Sequence, residues 1–172
     1  MLTQFVDFLG RHATEVIALC ALGLTIFQAI VARRHNALSV QPYITEFNHR
    51  ETSPGRGLLA FRLMNHGIGP AFITGFKILL DGKPVKDADE ALAGVLKDKK
   101  YNHSITRLGE GYAMPAGETK DVLVLEVPLG PDESLDEIEE RLDRFDVVVD
   151  YRSAYKKTAT LDTRKLGGSA NK

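Results

Sequence analysis

Four groups of residues have types and spacings that chemistry could use. The first is Asn65-His66-Gly67-Ile68-Gly69-Pro70, whose Gly-x-Gly pair invites a phosphate-loop reading. That reading fails on its neighbours: the third glycine of a dinucleotide fingerprint falls on Phe72, and no Walker lysine follows. Pro70 also removes a backbone N–H that an anion cradle would use. The stretch is better explained as a tight turn between strands, with Asn65 capping exposed backbone and Gly67 and Gly69 at positive φ before Pro70. The second group, His49, His66 and His103, has no pair at the i,i+4 or short-turn spacing of a metal-ligand set, and no cysteine joins it. These three are expected as isolated surface histidines. The third group, Asp132, Glu133, Asp136, Glu137, Glu139 and Glu140, lacks the residue order of a calcium loop and is expected as a mostly solvated helix face. Cys20 is the sole cysteine. It has no disulfide partner, and its apolar setting without water makes a poor nucleophile. No G-x-S-x-G motif occurs, and no Ser, His and Asp can be assigned to a triad. The expectation is a chain with no catalytic residues, no cofactor and no metal.

The element that dominates the chain is the run at residues 16–32, VIALCALGLTIFQAIVA, which contains no charge and only Gln28 as a strongly polar residue. As a helix it is about 25 Å long at ~1.5 Å per residue. Adding Ala13 and Thr14, with Glu15 snorkelling outward, brings it near the ~30 Å hydrocarbon thickness. A cleaved signal peptide would need a basic leader and a small-residue cleavage site, whereas Asp7 and Glu15 precede this core and Arg33-Arg34-His35 follow it. A buried helix of a soluble protein would show a polar face, and this run is apolar almost all round. Residues 13–34 are therefore expected to form a single transmembrane helix. Before it, Leu2, Phe5, Val6 and Leu9 repeat at helical spacing, so residues 1–12 fit either an interfacial amphipathic segment or a helix running straight into the span.

Arg33 and Arg34 at the C-terminal boundary, then Arg50 and Arg56, outweigh Arg11 and the α-amino group. The positive-inside rule accordingly places the globular part in the cytoplasm, anchored to an inner (cell) membrane. Within the span, Ala18, Ala21, Thr25, Ala29 and Ala32 recur every three or four residues, with Gln28 at the border. Small residues let helices approach closely in lipid, and a buried amide favours an interhelical hydrogen bond. Ala18, Ala21, Thr25, Gln28 and Ala29 form a candidate packing face for a partner helix or a second copy. Composition that is merely common in membrane helices explains the same pattern.

The rest of the 172 residues is sufficient for one core. Setting aside Arg11, Arg33, Arg34, Asp7 and Glu15 leaves 19 basic and 21 acidic residues, a near-neutral balance with no basic block and no footprint for nucleic acid. Strands are expected at residues 40–48, with Pro42 restricting that strand to an edge or bulge, and at 58–65, 72–80, 121–127, 145–151 and 158–163. An irregular strand fits 101–108. In 72–80 the alternation places Phe72, Thr74, Phe76, Ile78 and Leu80 on one face. Turns fall at Ser53-Pro54-Gly55, Asp81-Gly82 and Met114-Pro115-Ala116-Gly117-Glu118. Helices are expected at 87–97 and 131–144. In the latter, Pro131 suits the first turn, Ser134 and Glu137 have capping-box spacing, and Glu137–Arg141 and Glu140–Arg144 are i,i+4 pairs. Residues 164–172 are expected as a disordered tail.

Many short strands, regular turns and no βαβ alternation predict a mainly β domain over 38–163, a β-sandwich with one or two short helices. The strand order, the Pro-Ala-Gly turn before an apolar strand and the closing hairpin resemble an immunoglobulin-like sandwich. RRHNALSVQP just after the span, followed by NHGIGPAFI, resembles a set of small, uncharacterised bacterial single-pass membrane proteins with an NxGxGPA-type β-domain. That likeness covers roughly residues 25–80 and implies no activity. The expected function is a non-enzymatic, membrane-anchored interaction or adaptor module whose partners are the lipid bilayer and a membrane protein or second copy. The alternative is an enzyme or ligand-binding protein with a site assembled from sandwich loops. A cleft gathering His66, His103 and acidic residues would favour the alternative; an exposed β edge would favour the module.

Overall fold

The one long unbroken apolar run of the chain is helical, and the alternating stretches after it form sheet. The structure is a computed structural model that describes residues 10, 12–130 and 133–167. Helix α1 (Ala13–Ser39) is continuous over 27 residues and buries none of them. Among the described residues it is the one helix long and apolar enough to cross a membrane. It runs five residues past the expected end at 34, because residues 35–39 contain neither Gly nor Pro; Pro42 then disfavours helical backbone just before it. The chain divides into Met1–Ser39 and Val40–Lys172, each a compact unit by its own contacts. The expected amphipathic segment at 1–12 lies outside the described residues apart from Gly10 and His12.

The second unit is mainly β. Strands β1 (Ile44–Ser53) and β2 (Arg56–Asn65) form a hairpin through Pro54 and Gly55, the glycine at φ +77°. Strand β3 (Ala71–Leu80) turns through Asp81 and Gly82 into β4 (Lys83–Pro84). The φ values there are 51° and 75°, the two successive positive angles that Asp-Gly accommodates in a tight hairpin. Helix α2 (Ala88–Val95) starts where the Asp87 carboxylate accepts the N–H groups of Asp89 and Glu90. There follow β5 (Asn102–Ile105), β6 (Ala113–Met114), β7 (Thr119–Pro128), α3 (Leu135–Leu142), β8 (Phe145–Arg152), β9 (Thr158–Asp162) and one helical turn, α4 (Arg164–Gly167).

One sheet has the order β1-β2-β7-β5 and the other β4-β3-β8-β9, with β6 paired to the start of β3. Every pairing is antiparallel. Ile44 and Leu63 of the first sheet and Ile73, Val149 and Leu161 of the second belong to one core cluster, so the two inner faces meet. A second cluster sets Leu59, Leu125 and Val127 against Leu92 and Leu96 at the end of α2 and Leu135 and Ile138 of α3.

Several expectations need correction. In β3 the buried residues are Ala71, Ile73 and Leu79: at its start the core face carries Ala71 and Ile73, not Phe72 and Thr74, and after a register shift between Ile73 and Gly75 the expected Phe76 packs on the core. Phe72 instead lies 5.8 Å beneath the Arg152 guanidinium. Helix α3 starts at Leu135 rather than 131, with the Ser134 hydroxyl oxygen accepting from Asp136 N–H; Pro131 and Asp132 lie outside the described residues. Neither i,i+4 pair is a contact ion pair among the described residues, and Glu137 acts on Arg141 through its charge alone. Arg141 binds Asp98 with both terminal nitrogens, at 2.6 and 3.1 Å, and Arg144 binds Asp81 at 2.9 and 2.5 Å. A planar fork gains more from a bidentate carboxylate across the fold than from a monodentate neighbour on its own helix. At the C-terminal end, residues 164–167 form α4 where a disordered tail was expected, and residues 168–172 lie outside the described residues.

Candidate functional site

Two places in the domain concentrate polar groups in buried surroundings, and they are built in opposite ways. The first surrounds Asn65, which ends β2 with 0% exposure. Its Oδ1 accepts the N–H groups of Tyr43 (3.1 Å) and Gly67 (3.0 Å). Its Nδ2 donates to the carbonyls of Gly69 (2.9 Å), Met114 (3.1 Å) and Pro115 (3.2 Å). Its own backbone N–H and carbonyl bond Glu118 and Gly117. One amide thus ties together the chain entering the domain, the glycine loop and the turn before β7, leaving none of its polar atoms unpaired.

The glycines serve that same junction. A Cβ on Gly67 would sit 2.3 Å from the Gln41 carbonyl oxygen, and one on Gly69 would sit 2.0 Å from that of Val40. Neither glycine has positive φ, which corrects the reason given for them from the sequence: what the backbone needs here is close approach, not a left-handed conformation. The loop packs directly on residues 40–43, the first residues after α1. The Gly67 N–H and the Gly69 carbonyl are both spent on the Asn65 side chain, and the His66 N–H on the Tyr43 carbonyl.

The second place is a cavity of about 680 Å³ between β1, β2, α2, α3 and the start of β8. Its floor is apolar, with Leu59, Phe61, Ile78, Leu92 and Phe145. Four carboxylates, from Glu46, Glu139, Asp143 and Asp146, line it against one guanidinium, that of Arg164. Glu46 faces the core because it lies opposite Leu63, in phase with buried Ile44. Its Oε2 is buried and has no hydrogen-bond partner among the described residues. Burial first, and the charge of Asp146 second, hold the Glu46 carboxyl above the usual range. The neighbouring groups are occupied. Asp146 accepts from the Thr163 hydroxyl at 3.1 Å, and Arg164 is bidentate to Asp162 at 2.8 and 2.7 Å. Arg50 bridges Asp136 and Glu139.

The histidines do not converge. His49 lines the cavity, His103 Nε2 lies 2.7 Å from Asp89 Oδ1, and His66 donates its backbone N–H to Tyr43. No group of three or more potential metal ligands occurs among the described residues. The acidic run around α3 is more than a solvated face: Glu133 pairs with Lys99 at 2.7 Å, and Asp136 and Glu139 fasten α3 to β1 through Arg50. In α1, helical geometry sets Ala18, Ala21, Thr25, Gln28 and Ala29 within an arc of roughly 100°. The Thr25 hydroxyl donates to the Ala21 carbonyl at 2.8 Å, and the Gln28 amide makes no side-chain hydrogen bond among the described residues.

Glu46 and Asp146 were not singled out from the sequence. A signal was present for Glu46: counting by twos from Ile44 puts an acid at a core-facing position. Asp146 gives no such signal, since its place beside Thr163 depends on how β8 meets β9. The cavity gathers acids as a ligand site would, but neither His66 nor His103 lines it, and β1 is the edge of its sheet.

A search of curated proteins finds no match. The model of one family, described as a domain of unknown function (DUF8453), matches residues 8–167, which takes in both α1 and the β domain. The chain belongs to that family.

Proposed function

We propose that the chain is a non-enzymatic, membrane-anchored interaction module. In this reading α1 is a single-pass anchor in the inner membrane of a bacterium. The paired sheets form an immunoglobulin-like sandwich on the cytoplasmic face. The observation that carries it is the surface of α1: its large apolar side chains, such as Leu19 at 68% exposed and Phe27 at 63%, have no protein covering them. Such a surface requires lipid or another helix. Alkaline carbonate extraction of membranes tests the anchor. The chain should stay with the lipid pellet, and its release to the supernatant would overturn the proposal.

Orientation rests on Arg33 and Arg34 at the C-terminal end of the apolar run. Alkaline phosphatase fused after residue 172 should be inactive in cells; high activity would reverse the assignment. The same reading gives α1 a lateral partner, a second copy or another membrane protein, on the side carrying Ala18, Ala21, Thr25, Gln28 and Ala29. With Cys20→Ala as background, Ala21→Cys should cross-link two copies under oxidation while Phe27→Cys should not. Equal cross-linking at both positions would leave self-association without a specific face. The acid-lined cavity favours a second reading, a ligand-binding domain on the same anchor.

A further inference from the structure

We infer that the cavity beside Glu46 is a binding site for a small amphipathic amine, with an apolar body against Leu59, Phe61 and Phe145 and an ammonium group at the Glu46 carboxylate. The inference goes beyond the anchoring role and does not depend on it. A cavity of about 680 Å³ lies in the range that small-molecule sites occupy. Its chemistry is divided as such sites are, with an apolar floor and a few polar groups that fix orientation.

The charge of the lining selects the ligand. The other ionisable side chains facing Glu46 across the cavity are His49, Glu139, Asp143, Asp146 and Arg164. Arg164 is held by Asp162, and Arg50 at the rim by Asp136 and Glu139, so neither cation is available to Glu46. Asp146 has the Thr163 hydroxyl. Glu46 is left with a buried, unpaired oxygen in acidic surroundings, an arrangement that repels an anionic ligand. A bound ammonium offers the Glu46 carboxylate a hydrogen-bond donor and sets a positive charge among four carboxylates faced by one guanidinium. A neutral alcohol of the same shape supplies only the donor, and a carboxylate supplies neither.

The test uses the full chain in detergent micelles and three ligands of similar size: 4-phenylbutylamine, 4-phenylbutanol and 5-phenylpentanoate. Isothermal titration should give one saturable site for the amine, binding about tenfold tighter than the alcohol, and no site for the carboxylate. Glu46→Gln, titrated in the same micelles to subtract partitioning, should reduce the amine to the affinity of the alcohol. The wild-type comparison stands by itself whatever the variant's fold. Equal affinity for amine and alcohol, a site for the carboxylate, or no saturable amine binding would each overturn the inference.

Discussion

The Asn65 junction and the Glu46 cavity are both polar intrusions into an apolar β domain, and the contrast between them is one of satisfaction. Asn65 has five side-chain hydrogen bonds and no exposed surface. Glu46 has a buried oxygen with no partner and a cavity beside it. A buried amide with every valence used stabilises one chain path over all others. A carboxylate with one buried, unpartnered oxygen lowers stability, and such a cost is characteristic of positions kept for binding rather than for folding. The glycine motif that looks most functional in the sequence is therefore assigned to architecture. The glutamate that looks ordinary marks the site.

The sharpest way to break that contrast is to add one methyl group at the junction. Gly69→Ala places a Cβ where the Val40 carbonyl oxygen already is, and backbone cannot give way as a side-chain tip can. We expect a loss of about 3 kcal/mol or more, or a fall in Tm of about 10 °C for a chain of this size. Gly67→Ala, against Gln41, should behave similarly. Thermal melts of the purified chain check both. Asn65→Asp comes next, at roughly 2–4 kcal/mol. It keeps the acceptor for Tyr43 and Gly67 but turns the donor that serves Gly69, Met114 and Pro115 into an anion facing three carbonyls. Little change in denaturant midpoint would show that the amide network contributes nothing.

Smaller effects should come from the surface. Arg50→Ala removes the tie between β1 and α3, but the pair is solvent-exposed, so the loss should be no more than about 1 kcal/mol. Its stronger signature should be in dynamics: faster amide hydrogen exchange in α3 and along the rim of the cavity, with β8 unchanged. Uniform exchange across the domain would contradict that local role.

How much of this was legible depends on the distance over which each feature is determined. The α1 run, the Asp81-Gly82 turn and the Asp87 cap are local, and the sequence carries them within a few residues. The reversed face at the start of β3 was not legible, because the shift at residues 73–75 arises from pairing with β8. The arginine partners were misassigned for the same reason: Asp98 and Asp81 are 43 and 63 residues away. The glycines were recognised as structural, but for the wrong backbone property, since what opposes them is a segment some 26 residues earlier in the chain. The cavity was invisible, because it is the space left where two core clusters fail to meet.

Glu46 also gives the contrast a pH dependence. Its carboxyl ordinarily titrates near 4.5 and is raised in the fold, so between those values the folded chain holds more protons than the unfolded one. Its contribution therefore becomes unfavourable as pH rises and stays so above the folded value. Glu46→Gln should match wild type below about pH 3, where Glu46 is protonated in both states, and be more stable at pH 8.

The central claim is that the glycine junction is architecture and the Glu46 cavity is a site held at some expense to stability. Thermal melting of the full chain at pH 8, with Gly69→Ala and Glu46→Gln measured side by side, tests it most directly. The account predicts opposite signs: a large fall in Tm for the first and a rise for the second. A Tm for Gly69→Ala equal to that of wild type, or a fall for Glu46→Gln, would contradict it.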